Sequence, residues 1–212
     1  GGFDARYGEK MSSVLDITYK KVKGLEASVS ASLLGASGYL GYGTEKFSMI
    51  HGIRYKTMKN LLSTTQTKGE YDPRDMDYQT YISWSPNQRW TFDLMGIISL
   101  NDYNFKPKDR ETRFGTSENT KDFKVYFDGQ EKDKFHTYFG AFSTTYKFNP
   151  QNSLTFNLSA FKTTEREKYD ISGQYWLSQY GEEEGGLGIG TYMEHARNQL
   201  NARVVNAGLT GR

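Results

Sequence analysis

Two alternating runs joined by a short turn, in residues 77–100, constrain the fold of this chain more than any other stretch. From Trp90 onward, apolar residues recur at every second position, and the positions between them are mostly polar. A period of two is typical of a β-strand. The run that ends at Trp84 alternates in the same way, and Pro86-Asn87 supplies turn chemistry between the two runs. The stretch is therefore predicted to be a β-hairpin.

The tryptophans beside the turn indicate where such a hairpin could lie. A tryptophan ring favours the boundary between lipid and water, so Trp84 and Trp90 are candidate membrane-interface residues. A second predicted hairpin, in residues 138–161, repeats the pattern and has Phe148 and Phe156 near its turn. Amphipathic segments of about ten residues, with short turns at one end and long polar connections at the other, are typical of transmembrane β-barrels. A soluble sandwich with an aromatic core face is the alternative.

The amino-acid composition excludes several classes of fold and function. The 212 residues contain no run of about 18 apolar residues, which excludes membrane-spanning helices. The aromatic share of 15% agrees with interfacial girdles, and a mean hydropathy of −0.75 is compatible with a barrel whose lumen is polar. The absence of cysteine excludes a disulfide scaffold and any Cys-based metal site or nucleophile. The net charge of +2 gives no case for nucleic acid as a partner.

The first 24 residues combine glycines spaced for turns with a strand predicted over Ser12–Lys20. The phrase GGF-x-A-x-YG-x-x-x-SSVLDI resembles the end of the plug domain of TonB-dependent outer-membrane transporters, especially those of the Bacteroidetes type. The matching residues are Gly1, Gly2, Phe3, Ala5, Tyr7, Gly8, Ser12, Ser13, Val14, Leu15, Asp16 and Ile17. A Gly-rich turn followed by an ordinary strand is the alternative interpretation of the same residues.

The resemblance implies a fold and a function. In such transporters a plug blocks an antiparallel transmembrane β-barrel of about 22 strands. Residues 1–24 would then end the plug, and residues 25–212 would form the N-terminal part of the barrel. The implied function is TonB-dependent uptake of a nutrient, such as an iron chelate, a cobalamin, a glycan or a peptide, across the outer membrane of a Gram-negative bacterium. Such uptake involves no covalent reaction, so neither an enzyme activity nor a cofactor is implied.

The resemblance also implies partners. These are the TonB complex, through a segment missing here, the outer-membrane lipid, and, as a further candidate, a surface lipoprotein.

The sequence starts with neither Met nor a signal segment and stops inside a strand-like run. We therefore expect both ends to be cuts in a longer polypeptide.

About eight strands are predicted along the chain. The first runs over Leu25–Leu33, a short second strand follows over Gly35–Tyr42, and the third runs from Phe47 to about Asn60. His51 shares the outward parity of the third strand, which is costly for a polar ring near mid-membrane. Long polar connections near residues 106–134 and 169–198 are predicted to be extracellular loops, whereas the short turns would face the periplasm.

Two groups of residues are candidates for function. An aromatic group in the last predicted loop could stack on a sugar, a chelator or a peptide, although simple packing within the loop would explain it too: Tyr175, Trp176, Tyr180 and Tyr192. A second group has the parity of the barrel lumen and could contact the plug or a solute: Arg54, Lys56, Asp93 and Arg203.

The sequence offers little support for metal or catalytic chemistry. His51, His136 and His195 lie on separate segments without ligand spacing, so no metal site is predicted from them. Residues 182–184 are all Glu and could contribute to a Ca²⁺ site, but a solvated acidic run is the favoured interpretation. The glycines of residues 185–190 lack a phosphate-binding pattern, and no nucleophile motif is present. The protein is therefore not predicted to be an enzyme.

Two alternatives stay open from the sequence. The strands could close into a small eight-stranded outer-membrane barrel of passive or structural function. They could instead form a soluble secreted β-protein that binds carbohydrate through its aromatic residues. Solubility without detergent separates the second alternative from both membrane interpretations.

Overall fold

The computed structural model describes residues 17–63, 69–181 and 186–212. Within these residues the chain forms nine strands and one helical turn, α1, of five residues. In chain order they are β1 Gly24–Ser32, β2 Gly35–Gly43, β3 Phe47–Thr57, α1 Lys59–Ser63, β4 Gly69–Trp84, β5 Trp90–Pro107, β6 Arg110–Thr116, β7 Asn119–Lys147, β8 Ser153–Gln179 and β9 Leu187–Gly211. The described part of the chain contains no helix with the length and apolar content needed to cross a bilayer.

The strands form one open antiparallel sheet. Its order is β1-β2-β3-β4-β5-β7-β8-β9, and β6 pairs with β7 beside this path. In the described residues β1 pairs only with β2, and β9 pairs only with β8, so both edges are free. The prediction of an all-β, antiparallel fold is confirmed. The predicted strand Ser12–Lys20 lies mostly outside the described residues, and residues 17–23 form no regular element.

Asparagine side chains build the two predicted hairpin turns. In the turn between β4 and β5, the Asn87 Oδ1 atom accepts hydrogen bonds from the backbone N–H groups of Arg89 and Trp90, at 2.9 and 3.0 Å. The Asn149 side chain does the same after β7, accepting from the N–H groups of Gln151 and Asn152 at 2.9 and 2.7 Å. Where the chain reverses, these bonds take the place of the backbone hydrogen bonds that join the paired strands, as in other Asx turns.

The two faces of the sheet differ in chemistry. Alternate residues of neighbouring strands are in register, so each face is continuous across the sheet. We call one of them the apolar face because it carries a band of apolar side chains. The band consists of alternate residues of β1 (Leu25 to Ala31), β2 (Ala36 to Tyr42), β3 (Phe47 to Tyr55), β4 (Met76 to Trp84), β5 (Trp90 to Leu100), β7 (Tyr138 to Tyr146), β8 (Leu154 to Ala160) and β9 (Val205 to Leu209). The opposite side is the polar face.

The long polar segments near residues 106–134 and 169–198 are mostly strand, and their prediction as loops is wrong. β7 and β8 pair without interruption from Lys147 and Ser153 out to Lys121 and Gln179. At the end of the first segment, residues 131–134 alternate in the sign of charge, which is the period of two expected of a strand. These strands project beyond the apolar band, and we call the projecting parts of β6 to β9 the projecting hairpins.

β7 continues through Asp128 and Gly129 as strand, although Asp-Gly is a sequence typical of tight turns. Gly129 has a φ of 102°, and a Cβ atom there would lie 1.9 Å from the backbone oxygen of Asp170 on β8. Glycine therefore serves the close approach of β7 and β8 at this point.

Candidate functional site

The apolar band has edges that shift along the sheet. At the turn end its last row is Phe47–Trp84 on β3 and β4, but it lies one row further out, at Trp90–Tyr146, on β5 and β7. At the opposite end the last apolar row contains Leu100 on β5. On β8 the last apolar residue is Ala160, two rows closer to the turn end. Between β5 and β8 the turn-end edge stays in the row of Trp90, Tyr146 and Leu154, so the band narrows from six alternate residues on β5 to four on β8.

Aromatic rings follow the turn-end edge of this band. The Trp90 ring stacks on Phe92 at 5.7 Å between centroids and contacts Tyr146 at 4.7 Å. The Trp84 ring also stacks on Phe92, at 5.6 Å. Phe148 continues the chain through an edge contact with Tyr146 at 4.9 Å. Three of the four predicted interface aromatics thus belong to one chain of ring contacts.

The fourth predicted residue, Phe156, lies on the same face between Thr144 and Leu209. Phe92 and Tyr146, which link the other rings, were not among the predicted interface residues. The cross-strand register reveals their role, because it brings Phe92 opposite Trp84, and Trp90 opposite Tyr146.

His51 has a partner on the apolar face. Its Nδ1 atom lies 2.9 Å from the Tyr78 hydroxyl oxygen, and the two rings are stacked with 6.2 Å between centroids. Both residues are half-buried. The conflict predicted for this position is reduced, because a hydrogen-bonded ring is less costly in an apolar environment than an unpartnered one.

The polar face is covered at one side by the segment before β1. Val22 is 2% exposed, and its backbone N–H donates to the Ser48 Oγ atom at 2.9 Å. The Tyr19 ring stacks on Tyr81 at 5.0 Å between centroids. Residues 17–23, which we call the docking segment, therefore fold back over the strands instead of leaving the sheet.

Three of the four residues predicted to line the lumen lie on the polar face. Arg54 forms an ion pair with Asp77, with its Nε 2.9 Å from the carboxylate. Asp93 accepts a hydrogen bond from the Tyr81 hydroxyl at 2.7 Å. Lys56 lies one row beyond Arg54 on the same strand and face.

Arg203 lies on the opposite face, and its predicted parity is wrong. It is directly opposite Lys162, which in turn pairs with Tyr138 of the apolar face. The misleading signal was Leu200, Ala202 and Val204, which share the polar face beyond the band. Within the band the apolar parity of β9 changes to Val205, Ala207 and Leu209.

The predicted aromatic group divides between the faces. Tyr175 and Tyr192 stack on the polar face with 6.2 Å between centroids, and Phe123 stacks on Tyr175 at 5.8 Å. We call these three residues the aromatic stack. Trp176 lies on the other face, because adjacent strand residues point to opposite sides. Tyr180 is in the turn after β8, where the Arg113 guanidinium lies 4.8 Å from its ring centroid.

Acidic side chains collect on the polar face between the aromatic stack and the apolar band. Burial raises the pKa of Glu131, and the nearby carboxylates of Asp133 and Glu167 raise it further. Asp133 is directly opposite Glu167 and is 9% exposed. In the described part of the chain, no group of three or more His, Cys, Asp or Glu residues has metal-binding geometry. The acidic run of residues 182–184 lies outside the described residues.

Replacing Glu131 with Gln is expected to weaken the pH dependence of stability. A raised pKa means that the folded protein binds the proton more tightly than the unfolded chain, so this group stabilises the fold at low pH and the stabilisation is lost as pH rises through the folded pKa. E131Q should therefore raise the free energy of unfolding at pH 7 by about 0.2–1 kcal/mol, which is typical of like charges relieved across a sheet.

Denaturant unfolding of the native polypeptide at pH 5 and pH 7 measures this effect. The exposed turn residue Glu118 provides the control substitution E118Q. Equal pH dependence in wild type and E131Q would contradict the role of Glu131.

Comparisons with known proteins add no family to this geometry. No protein-family model matches the chain, and no curated protein and no solved structure gives a significant match.

Proposed function

We propose that this chain is part of a TonB-dependent outer-membrane transporter and contributes the end of the plug and the first strands of the barrel. The observation that supports this most is the apolar band with its aromatic edge. From Trp90 to Leu100 an extended strand covers about 34 Å, which at a tilt of about 40° corresponds to a band about 26 Å high. Transmembrane barrels carry an outward apolar band of about 25 Å with aromatic girdles.

The unequal ends of the sheet support the same proposal. Turns of a few residues join β2 to β3, β4 to β5 and β7 to β8 at one end, whereas β7 and β8 extend far beyond the band at the other. In bacterial outer-membrane barrels short turns face the periplasm and long connections face outside. The projecting hairpins would accordingly reach outward from the cell.

The docking segment fits a plug that leaves the lumen at the first strand. It covers the polar face, which would be the inner surface of the barrel, and it carries the end of the phrase that resembles a plug. A chain that entered β1 from outside the barrel would have no reason to contact Ser48 and Tyr81 on that face.

The aromatic stack is the proposed contact for substrate. Phe123, Tyr175 and Tyr192 lie on the inner face, beyond the band, where a solute would pass between the plug and the outer hairpins. Ring faces bind sugars, chelators and peptides by stacking, so the candidate substrates are those of the family: iron chelates, cobalamins, glycans and peptides. The proposed partners are the TonB complex, outer-membrane lipid and a surface lipoprotein.

The free edges of the sheet weigh against a self-contained eight-stranded barrel. Such a barrel requires pairing between β1 and β9, but in the described residues each of these strands has one neighbour. A soluble carbohydrate-binding protein would account for the aromatic stack. It would leave Leu94, Leu158 and Leu209 of the band at 48%, 41% and 67% exposure to water.

Fractionation of cells and measurement of intact mass test the proposal. The native polypeptide that contains this sequence is expected in the outer membrane, released only by detergent, with a mass several times 24.3 kDa. A monomer of 24.3 kDa in plain buffer would contradict the proposal and favour the soluble carbohydrate-binding alternative.

A further inference from the structure

Charge is sorted between the two faces where β7 and β8 leave the apolar band. Acidic and basic residues alternate along β7 in Glu131-Lys132-Asp133-Lys134, and they alternate along β8 in the four residues 165–168. The register brings every basic residue of these two stretches to the face of the apolar band and every acidic residue to the polar face. Within these two stretches the acidic side chains lie on the inner side and the basic ones on the outer side, which at this height also carries Asp102 of β5 and Asp170 of β8.

The register also sets like charges directly against each other. Lys132 is opposite Lys168, Lys134 is opposite Arg166, and on the next pair of strands Lys162 is opposite Arg203. Like charges in direct cross-strand positions destabilise a sheet, whereas opposite charges stabilise it. Lys134 also has Asp102 directly opposite on β5, whereas the neighbours of the Lys132–Lys168 and Lys162–Arg203 pairs in their rows include no acid. An anion held between the paired cations would offset their repulsion.

These cations are available to a ligand. We call the six residues the basic patch: Lys132, Lys134, Lys162, Arg166, Lys168 and Arg203. All six are exposed, and none forms an ion pair with a residue that the structure describes. Two other cations are neutralised: Arg74 of β4 pairs with Asp72 at 2.7 Å, and Lys108, between β5 and β6, pairs with Glu70 at 3.9 Å.

An apolar groove leads from the band to the basic patch. It has a volume of about 590 Å³ and runs over the small residues Gly96, Gly140 and Ala160. Lys162 and Arg203 stand at its end. A ligand that fills both parts must carry a hydrocarbon chain and an anionic head group, and the phosphate group is the anion that Lys and Arg bind most readily at a membrane surface.

We propose that the basic patch and the groove bind a phosphorylated lipid of the membrane that surrounds the barrel. The inference rests on the proposed function, because it takes the apolar face as the lipid-facing side. The phosphate lies between the paired cations, and an acyl chain lies along the groove. Retention of this lipid neutralises the repulsion between Lys162 and Arg203 at the end of the groove and fixes the height of the barrel in the bilayer.

Native mass spectrometry of the full native polypeptide, titrated with dihexanoyl phosphatidic acid, tests the proposal. The lipid is water-soluble, so binding is measurable whether or not the protein needs detergent. The patch variant K162Q/R203Q is expected to bind about thirtyfold more weakly than wild type, since each cation near a membrane surface contributes about a factor of five. The control variant R74Q/K108Q loses the same charge from two cations that are already paired, and it should bind like wild type.

The choice of ligands identifies the source of the phosphate. Wild type should bind dihexanoyl phosphatidylcholine weakly, and inorganic phosphate at the same concentration should not displace the phosphatidic acid. Equal binding by both variants, equal affinity for the two lipids, or displacement by inorganic phosphate would each overturn the proposal. The patch variant removes the repulsion between Lys162 and Arg203, so it should fold, and an unchanged far-UV circular dichroism spectrum verifies this.

Cell fractionation keeps this result separate from the proposed function. If the transporter proposal holds and the lipid proposal fails, all variants remain in the outer membrane and bind the lipid equally. If the transporter proposal fails, wild type itself is found outside the outer membrane, or in it with an intact mass of only 24.3 kDa.

Discussion

Replacing Leu158 with Arg is expected to destabilise the folded protein in a bilayer by about 2–4 kcal/mol, which is the cost of a basic residue at the midplane of a transmembrane barrel. Leu158 lies in the middle of the apolar band on β8, with Phe142 opposite on β7 and Ala207 opposite on β9. An arginine there would have to leave water without gaining an acidic partner.

The neighbouring residue provides a matched control. Asn157 precedes Leu158 in β8 and lies on the polar face between Ser143 and Gly208. N157R adds the same side chain at the same height on the other side of the sheet, so it should change the free energy of unfolding by less than about 1 kcal/mol. Denaturant titration of the native polypeptide in lipid vesicles measures both variants.

Arginine substitutions at two depths of the apolar band distinguish a band that faces a bilayer from one that is buried in a protein core. Leu154 lies on the same face of β8, in the row of Trp90 and Tyr146 at the edge of the band. The cost of arginine in a membrane falls to about 0–1 kcal/mol near the interface. L154R should therefore be nearly neutral in vesicles. If L154R and L158R were equally destabilising, or if N157R matched L158R, the band would not face lipid.

The period of the sequence predicted much of this sheet. Alternation over residues 77–100 and 138–161 was sufficient to place both hairpins, and Asn87 and Asn149 identified their turns because their side chains can replace the lost backbone bonds. Strand identity and face follow from one local rule, that successive side chains alternate.

The projecting hairpins were missed because hydrophobicity was the only periodic signal used. Residues 131–134 and 165–168 alternate in the sign of charge, which is the same period of two in a different property. A search for alternating charge would have predicted strands there. A strand predicted at residues 165–168 and extended to residue 176 would also have separated Tyr175 from Trp176, since adjacent residues of one strand cannot share a face.

Other features depend on pairing and could not be read from a single segment. The face of Arg203 follows from its register with Lys162, and the aromatic stack requires Phe123, Tyr175 and Tyr192 from three different strands. The contact of the docking segment with Ser48 joins residues 26 positions apart. Register depends on the turn between two strands as well as on their apolar patterns, so the pattern of one strand does not specify it alone.

The docking segment should detach when Gly43 is replaced by Ala. A Cβ atom at Gly43 would lie 1.9 Å from the backbone oxygen of Val22 and 3.2 Å from that of Phe47. The φ of Gly43 lies outside the left-handed region, so close approach and not backbone conformation requires glycine here. Because a backbone oxygen cannot rotate away as a side chain can, the whole segment must shift.

We expect G43A to weaken docking by about 1–3 kcal/mol, the usual cost of overpacking. The population of the open segment should rise about 5- to 150-fold, and trypsin should cleave after Lys20, Lys21 and Lys23 faster by the same factor. G52A is the control, because Gly52 lies on the same face in β3 and a Cβ atom there would meet nothing within 4 Å. Equal cleavage of G43A, G52A and wild type would show that the segment is not held by this contact. Faster cleavage of G43A alone would identify the approach of Val22 to Gly43 as what keeps the segment on the polar face, where the transporter proposal requires the plug to end.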